Sequence, residues 1–308
     1  MTDAYDEPSG IAPRGTVLVA AGRGETAAAY QRFGRRIAAD GYRVRVLPDV
    51  LADLGASLAE AGKLLVDDGL PGPHVVVGSD TGALFALALA ARGAPGLDAL
   101  VLAGLPVPRP PVTAGAEPLA VIAGAESPPV TAGVEPPPVT AGIEPPPVTA
   151  GAELLAVTAG IEPLPVTAGA EPPPVTAGAE LPGRGAGVEL PGWDAEVEAR
   201  TACPNHRRVL GEGGAVRGAL YSAQSPIKLI EYAGIPALPT LGLHGDADTI
   251  SPLGEARAHY PGTLVAIAGG RHDVLNDVTH RTVAATVVLF LERLRLGADL
   301  PEIARVLG

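Results

Sequence analysis

The chain reads as an α/β protein with a mostly parallel sheet and helices on both of its faces. Three observations carry that reading. Short β-branched apolar runs alternate with stretches of helical composition through the first hundred residues, and the alternation resumes after residue 234. The strand runs are almost continuously apolar, as strands covered on both faces must be.

The elements follow in order. Residues 16–21 are a β-rich apolar run, and 25–40 have helical composition until Gly41 stops them. Residues 42–47 read as a second strand, 54–68 carry apolar residues near helical spacing, and 69–73 turn the chain into a short buried strand that begins at His74. A sharp turn at Asp80 leads into a helix over 84–92, then through 93–96 into a strand over 97–103. Late in the chain, 240–244 and 263–268 read as strands, 253–260 as a short helix and 279–295 as a long closing helix that completes the first sheet. Folds of this kind place their chemistry beyond the ends of the parallel strands.

The 308 residues suffice for one large domain or a core with an insertion. Hydrophobic residues make up 47% but aromatic residues only 3%, so the core rests on Val, Leu, Ile and Ala. A net charge of -12, with Lys63 and Lys228 as the lysines, disfavours a nucleic-acid surface or a polybasic membrane anchor. The polar, acidic start lacks the parts of a signal peptide, and no apolar run reaches a membrane span, so cytoplasmic residence without integral membrane association is expected. Cys203, the single cysteine, has no disulfide partner and no metal-ligand spacing around it. No metal or cofactor is expected; the expected partner is a small-molecule substrate, and a homo-oligomer is compatible with the chain.

A nine-residue repeat separates the two halves. Its unit starts at Val112 and recurs from Val121, Val130, Val139, Val148, Val157, Val166 and Val175, with proline or glycine in every copy. One reading is a Pro/Gly-rich surface insertion, whose length adds little closure entropy. The other is a contact arm whose Val and Ile stripes meet a partner or a neighbouring subunit. The expected organisation is a flexible N-terminus at 1–13, a first core half at 14–106, the insertion at 107–185, a helical cap remnant at 186–234 and a second core half at 235–308.

The candidate site begins at Asp80. A nucleophile elbow needs small residues two positions before and after its nucleophile, because strand and helix nearly collide there. Gly78 and Gly82 frame Asp80 in that way, whereas choosing Ser79 would put Val77 and Thr81 at the crowded positions. Downstream, Asp246 and Asp248 follow one predicted strand and His272 follows the next. The order nucleophile, acid, histidine is that of a hydrolytic triad.

With the loop Gly22-Arg23-Gly24-Glu25, the elbow, the segment His244-Gly245-Asp246-Ala247-Asp248 and the Arg271-His272-Asp273 run, the chain resembles the α/β-hydrolase superfamily in its lysophospholipase or monoacylglycerol-lipase-like branch. The resemblance covers about residues 14–106 and 186–295 and implies Asp248 as triad acid, with Asp246 its rival, and His272 as base. It implies an oxyanion hole from the backbone N–H groups near Thr81 and Gly22 or Arg23. Arg23 is also a candidate for binding a substrate anion.

The departure is at the nucleophile, where that branch carries serine. A carboxylate attacking an ordinary ester would give a reactive anhydride, whereas attack on an sp3 carbon gives an alkyl ester that water can hydrolyse. The elbow is similar in this respect to haloalkane dehalogenases and epoxide hydrolases. Those families place a tryptophan after the nucleophile, or a His-Gly-x-Pro loop and two cap tyrosines; here Thr81 and Gly22-Arg23-Gly24 stand instead, with Tyr221 and Tyr232 as candidate donors. The expected function is hydrolysis of a small or lipid-like organic substrate by Asp80, His272 and Asp248. The alternatives are a non-covalent lyase or cyclase-type role, or an inert binding or scaffold protein on the same fold.

Overall fold

The computed structural model describes residues 3–47, 49–107, 191–221 and 237–305. The nonapeptide tract and Tyr232 lie outside the described residues.

Seven strands form one sheet in the order β1-β3-β2-β4-β5-β6-β7. They are β1 (Asp3–Tyr5), β2 (Gly15–Ala20), β3 (Tyr42–Leu47), β4 (His74–Ser79), β5 (Ala99–Ala103), β6 (Thr240–Gly245) and β7 (Thr263–Ile267). All pairings are parallel except that of β1 with β3. Side-chain alternation assigns the two faces. Val17, Val19, Val75 and Val77 pack with α1 (Gln31–Ala39) and α7 (His280–Leu296), while Leu18, Val76, Leu100 and Leu102 pack with α2 (Leu54–Leu65) and α3 (Thr81–Ala91). Helix α3 is apolar all round because its residues 81–90 are buried on every side.

The structure differs from the sequence reading at the N-terminus and at two helix starts. Within the segment 1–13, expected to be flexible, β1 pairs with β3. Two ion pairs, Asp6 with Arg45 at 2.7 Å and Glu7 with Arg43 at 3.1 Å, tie the following residues to β3. The stretch expected as a helix over 25–40 opens with a 3-10 turn at Ala27–Tyr30 before α1. Helix α3 starts at Thr81, directly after Asp80 and three residues earlier than its composition suggested. In the segment expected as a cap remnant, α4 (Trp193–Arg200) and α5 (Pro204–Val209) are separated by a break, with Pro204 at the first turn of α5, where a missing N–H costs nothing. The short helix expected over 253–260 is α6 (Leu253–Ala256) followed by a 3-10 turn.

Candidate active site

Asp80 sits on a tight strand-to-helix elbow. A Cβ added at Gly78 would lie 2.2 Å from the Gly82 carbonyl oxygen, and one added at Gly82 would lie 2.0 Å from that of Ala20. No residue but glycine fits either place. Asp80 itself has φ 49°, a left-handed value that an L-residue holds only where its surroundings impose it. Its N–H donates to the Ala103 carbonyl at 2.9 Å, which ties the elbow to β5.

His272 and Asp248 converge on Asp80 from the loops after β7 and β6. His272 Nδ1 donates to Asp248 Oδ2 at 2.8 Å, and its Nε2 faces Asp80 Oδ1 at 3.3 Å. All three side chains are buried. Asp248 Oδ1 accepts from the backbone N–H of Ile250 and Ser251, at 2.8 and 3.0 Å, which fixes its orientation. His244 flanks the pair: its Nε2 donates to the Ser251 carbonyl at 2.6 Å and lies 3.3 Å from Asp248 Oδ2. Asp246, the rival acid, is exposed and accepts from Gly269 N at 2.7 Å, away from His272.

Arg23 grips Asp80 rather than standing apart from it. Its Nε and Nη2 donate to Oδ2 and Oδ1, each at 2.8 Å, and its backbone N–H adds a bond of 3.0 Å to Oδ2. Arg23 N–H is therefore a donor of the expected oxyanion-hole type, already bound to a carboxylate oxygen. Gly22 N–H does not join it. That group points into the interior, to Glu25 Oε2 and the Tyr30 hydroxyl, both at 3.0 Å. Thr81 heads α3, where a helix leaves its first N–H groups without intrahelical partners.

The electrostatics follow from this packing. Burial alone would raise the Asp80 carboxyl, but the Arg23 guanidinium and the His272 ring outweigh it and hold Asp80 well below the usual carboxylate range. Burial would likewise lower His272, yet the carboxylates of Asp248 and Asp80 push it up to about 10. Asp248 is held low because burial is outweighed by His272 and His244.

A second buried charge cluster shares the loop of residues 22–25. Arg200, fully buried at the end of α4, reaches Glu196 Oε1 at 3.1 Å, Glu25 Oε1 at 3.5 Å and Asp273 Oδ1 at 3.6 Å. His206 Nε2 stands 3.2 Å from Asp273 Oδ2. Glu25, His206 and Asp273 could converge on a metal ion, but the Arg200 guanidinium already supplies the cation that Glu25 and Asp273 share. Sequence reading missed this cluster. The available signals were Glu25 and Asp273, which end the two quoted loop motifs.

The candidate donor Tyr221 and the ring of Trp193 engage other partners. Tyr221 has its hydroxyl 3.5 Å from the Ala195 carbonyl, and the Trp193 ring carries the Arg217 guanidinium 5.3 Å above its centre. Cys203 is buried before α5, within 3.3 Å of an Arg32 nitrogen.

The sheet order, the elbow and the two loops together invite comparison with solved structures. A soluble variant of monoglyceride lipase from Saccharomyces cerevisiae superposes with a TM-score of 0.54 at 14% identity, covering 95% of this chain and 91% of that one. The chain has the α/β-hydrolase fold. A monoacylglycerol lipase from Paleococcus ferrophilus gives a TM-score of 0.53 at 13% identity, over 94% and 98% of the two chains. The thioesterase domain of a curacin biosynthetic pathway gives 0.50 at 16%, over 93% and 94%. No protein-family model and no curated protein sequence matches the chain. Among the described residues, no helix of this α/β-hydrolase fold is long and apolar enough to cross a membrane.

Proposed function

We propose that the protein is a hydrolase in which Asp80 attacks an sp3 carbon of a small or lipid-like organic substrate, with His272 as base and Asp248 as its orienting acid. The observation that carries this reading is the buried line from Asp248 through His272 to Asp80, at 2.8 and 3.3 Å, on a strained elbow. In the first step Asp80 Oδ1 forms a bond to the carbon, and the leaving group departs with the electron pair of the broken bond. In the second, His272 Nε2 takes a proton from water, and the resulting hydroxide adds to the ester carbonyl of Asp80. The oxyanion that forms at Oδ2 lies where the Arg23 N–H already donates, with Thr81 N–H as the second donor. Collapse breaks the bond between the ester carbonyl carbon and Oδ1; the alkoxide takes the proton back from His272 and leaves as the alcohol, and the acid formed on Asp80 loses its proton to solvent, which restores the carboxylate.

Esterification also readies the base. While Asp80 is ionised, its charge helps to keep His272 protonated. The alkyl ester removes that charge, so the pKa of His272 falls just when a neutral imidazole is needed.

A second reading keeps the fold without covalent chemistry, as a lyase or cyclase-type site or an inert binding protein. One observation favours it: the Arg23 fork occupies both oxygens of Asp80, so attack requires that the guanidinium withdraw from Oδ1.

The deciding experiment uses a His272→Ala variant, which would form the alkyl ester but not hydrolyse it. Incubation with 1-bromobutane or 1,2-epoxybutane, followed by peptide mass analysis, is expected to place the alkyl mass on Asp80. The Asp80→Asn variant should take no label. An unlabelled Asp80 with both probes would leave the non-covalent reading standing.

A further inference from the structure

The second charge cluster meets the site through the backbone of residues 22 and 23. Glu25 Oε2 accepts the Gly22 N–H at 3.0 Å, and the Tyr30 hydroxyl donates to the same carboxylate oxygen. Arg200 Nη2 donates to the Arg23 carbonyl at 3.0 Å. The peptide groups before and after the Gly22–Arg23 bond are thus pinned to buried charges. The peptide between them carries the N–H that donates to Asp80 Oδ2.

Arg200 also reaches the other half of the triad. Its backbone carbonyl accepts from Asp273 N–H at 2.8 Å, and its guanidinium faces the Asp273 side chain. Asp273 directly follows His272. One fully buried cap residue therefore touches the loop that holds Asp80 and the loop that holds His272.

From this we infer that Arg200 and Glu25 are positioning residues that hold the Gly22–Arg23 peptide toward Asp80 and tie that loop to the one bearing His272. Neither touches the reacting atoms. Arg200 is suited to the task because a guanidinium offers several donors in one rigid plane and spans carboxylate and carbonyl partners together. Burial, with the charge of Asp273 adding to it, pushes the Glu25 carboxyl up to about 8 against the pull of Arg200. The groups facing Glu25 are Asp273, Arg200, Tyr30, His206 and Asp80, so its ionisation is felt on both sides of the loop.

The test is amide hydrogen exchange on the full chain, with Arg200→Met against the wild type. Protection of the Gly22, Arg23 and Asp273 amides is expected to fall by about tenfold or more, because the substitution removes the guanidinium's bond to the Arg23 carbonyl and its ion pairs with Glu25 and Asp273, while Val76 and Val77 in β4 change less. A merely stabilising Arg200 would lower all of these amides in step, and that result would overturn the inference. If Arg200→Met does not fold, Glu25→Gln keeps the side-chain volume. It is expected to loosen Gly22 and Arg23, to leave Asp273 protected, and to abolish any step in Gly22 protection near pH 8; unchanged protection at Gly22 and Arg23 would overturn the idea.

A kinetic arm rests on the proposed reaction. In an Arg200→Met, His272→Ala background, labelling of Asp80 should slow about tenfold relative to His272→Ala alone, with its dependence on probe concentration unchanged. Equal rates would count against the positioning role. Absence of label in His272→Ala itself would be a failure of the reaction, and the exchange data would still decide the role of Arg200.

Discussion

Asp80 stands on an elbow whose backbone, between β4 and α3, admits only glycine at Gly78 and Gly82. Arg200, in the neighbouring cluster, sits in an ordinary helix and is fixed by carboxylates from the 22–25 loop, from α4 itself and from the loop after β7. Backbone geometry places the first residue; long-range charge places the second. The difference is also one of charge balance. Around Asp80, two carboxylates face a guanidinium and a raised imidazole. Around Arg200, three carboxylates share one guanidinium, and burial, with the charge of Asp273 adding to it, pushes Glu25 upward.

The sharpest way to break this comparison is at the acid. Asp248→Asn should cut turnover of any substrate that labels Asp80 by about 10⁴-fold, because an asparagine cannot stabilise the charged ring and fixes the wrong tautomer. Asp246→Asn, two residues away but exposed and bonded to Gly269, should stay within about twofold, as surface changes outside a site usually do. Steady-state rates for the two variants check this, and a comparable loss in both would remove Asp248 from its special place.

Arg23→Gln comes next in size, and it decides whether the ion pair restrains the proposed attack or organises it. The substitution removes two charge-assisted hydrogen bonds from Asp80 but leaves the backbone N–H of residue 23. If Asp80 is a nucleophile restrained by its ion pair, labelling should speed up by about tenfold, the worth of one such bond. If the guanidinium is needed to organise the site, the rate should fall instead. Mass-resolved labelling time courses in the His272→Ala background give the sign.

Much of the core, and the convergence of Asp80, His272 and Asp248, was legible from residues alone, for identifiable reasons. The elbow announces itself because a backbone collision leaves glycine as the only choice at two fixed positions. The strands show as apolar runs because both faces of the sheet are covered. Asp248 and His272 follow strands in the order that places them at one end of the sheet. The Arg200 cluster gave no comparable signal, since ion pairs between residues up to 175 positions apart leave no period and no spacing. Strand β1 escaped notice because three residues cannot display an alternation. The grip of Arg23 on Asp80 depends on how a four-residue loop closes, which composition does not encode.

The smallest effect, and the one that joins the two clusters, is on stability. Glu25 and His272 both have folded-state pKa values above their ordinary ones, so the folded chain binds more protons than the unfolded chain wherever they differ. Stability from Glu25 is complete below about 4.5 and is lost as pH rises through about 8; that from His272 is complete below about 6.5 and is lost through about 10. Asp80 and Asp248 act in the opposite sense, since their lowered values give stability that is lost only on acidification. Between pH 6 and pH 10 the unfolding free energy read from urea titrations should therefore fall as pH rises. Glu25→Gln should reduce the slope below about pH 8, and His272→Gln the slope between about pH 6.5 and 10. If either variant flattens the whole range, the two clusters titrate as one, and the loop of residues 22–25 is the link through which they do so.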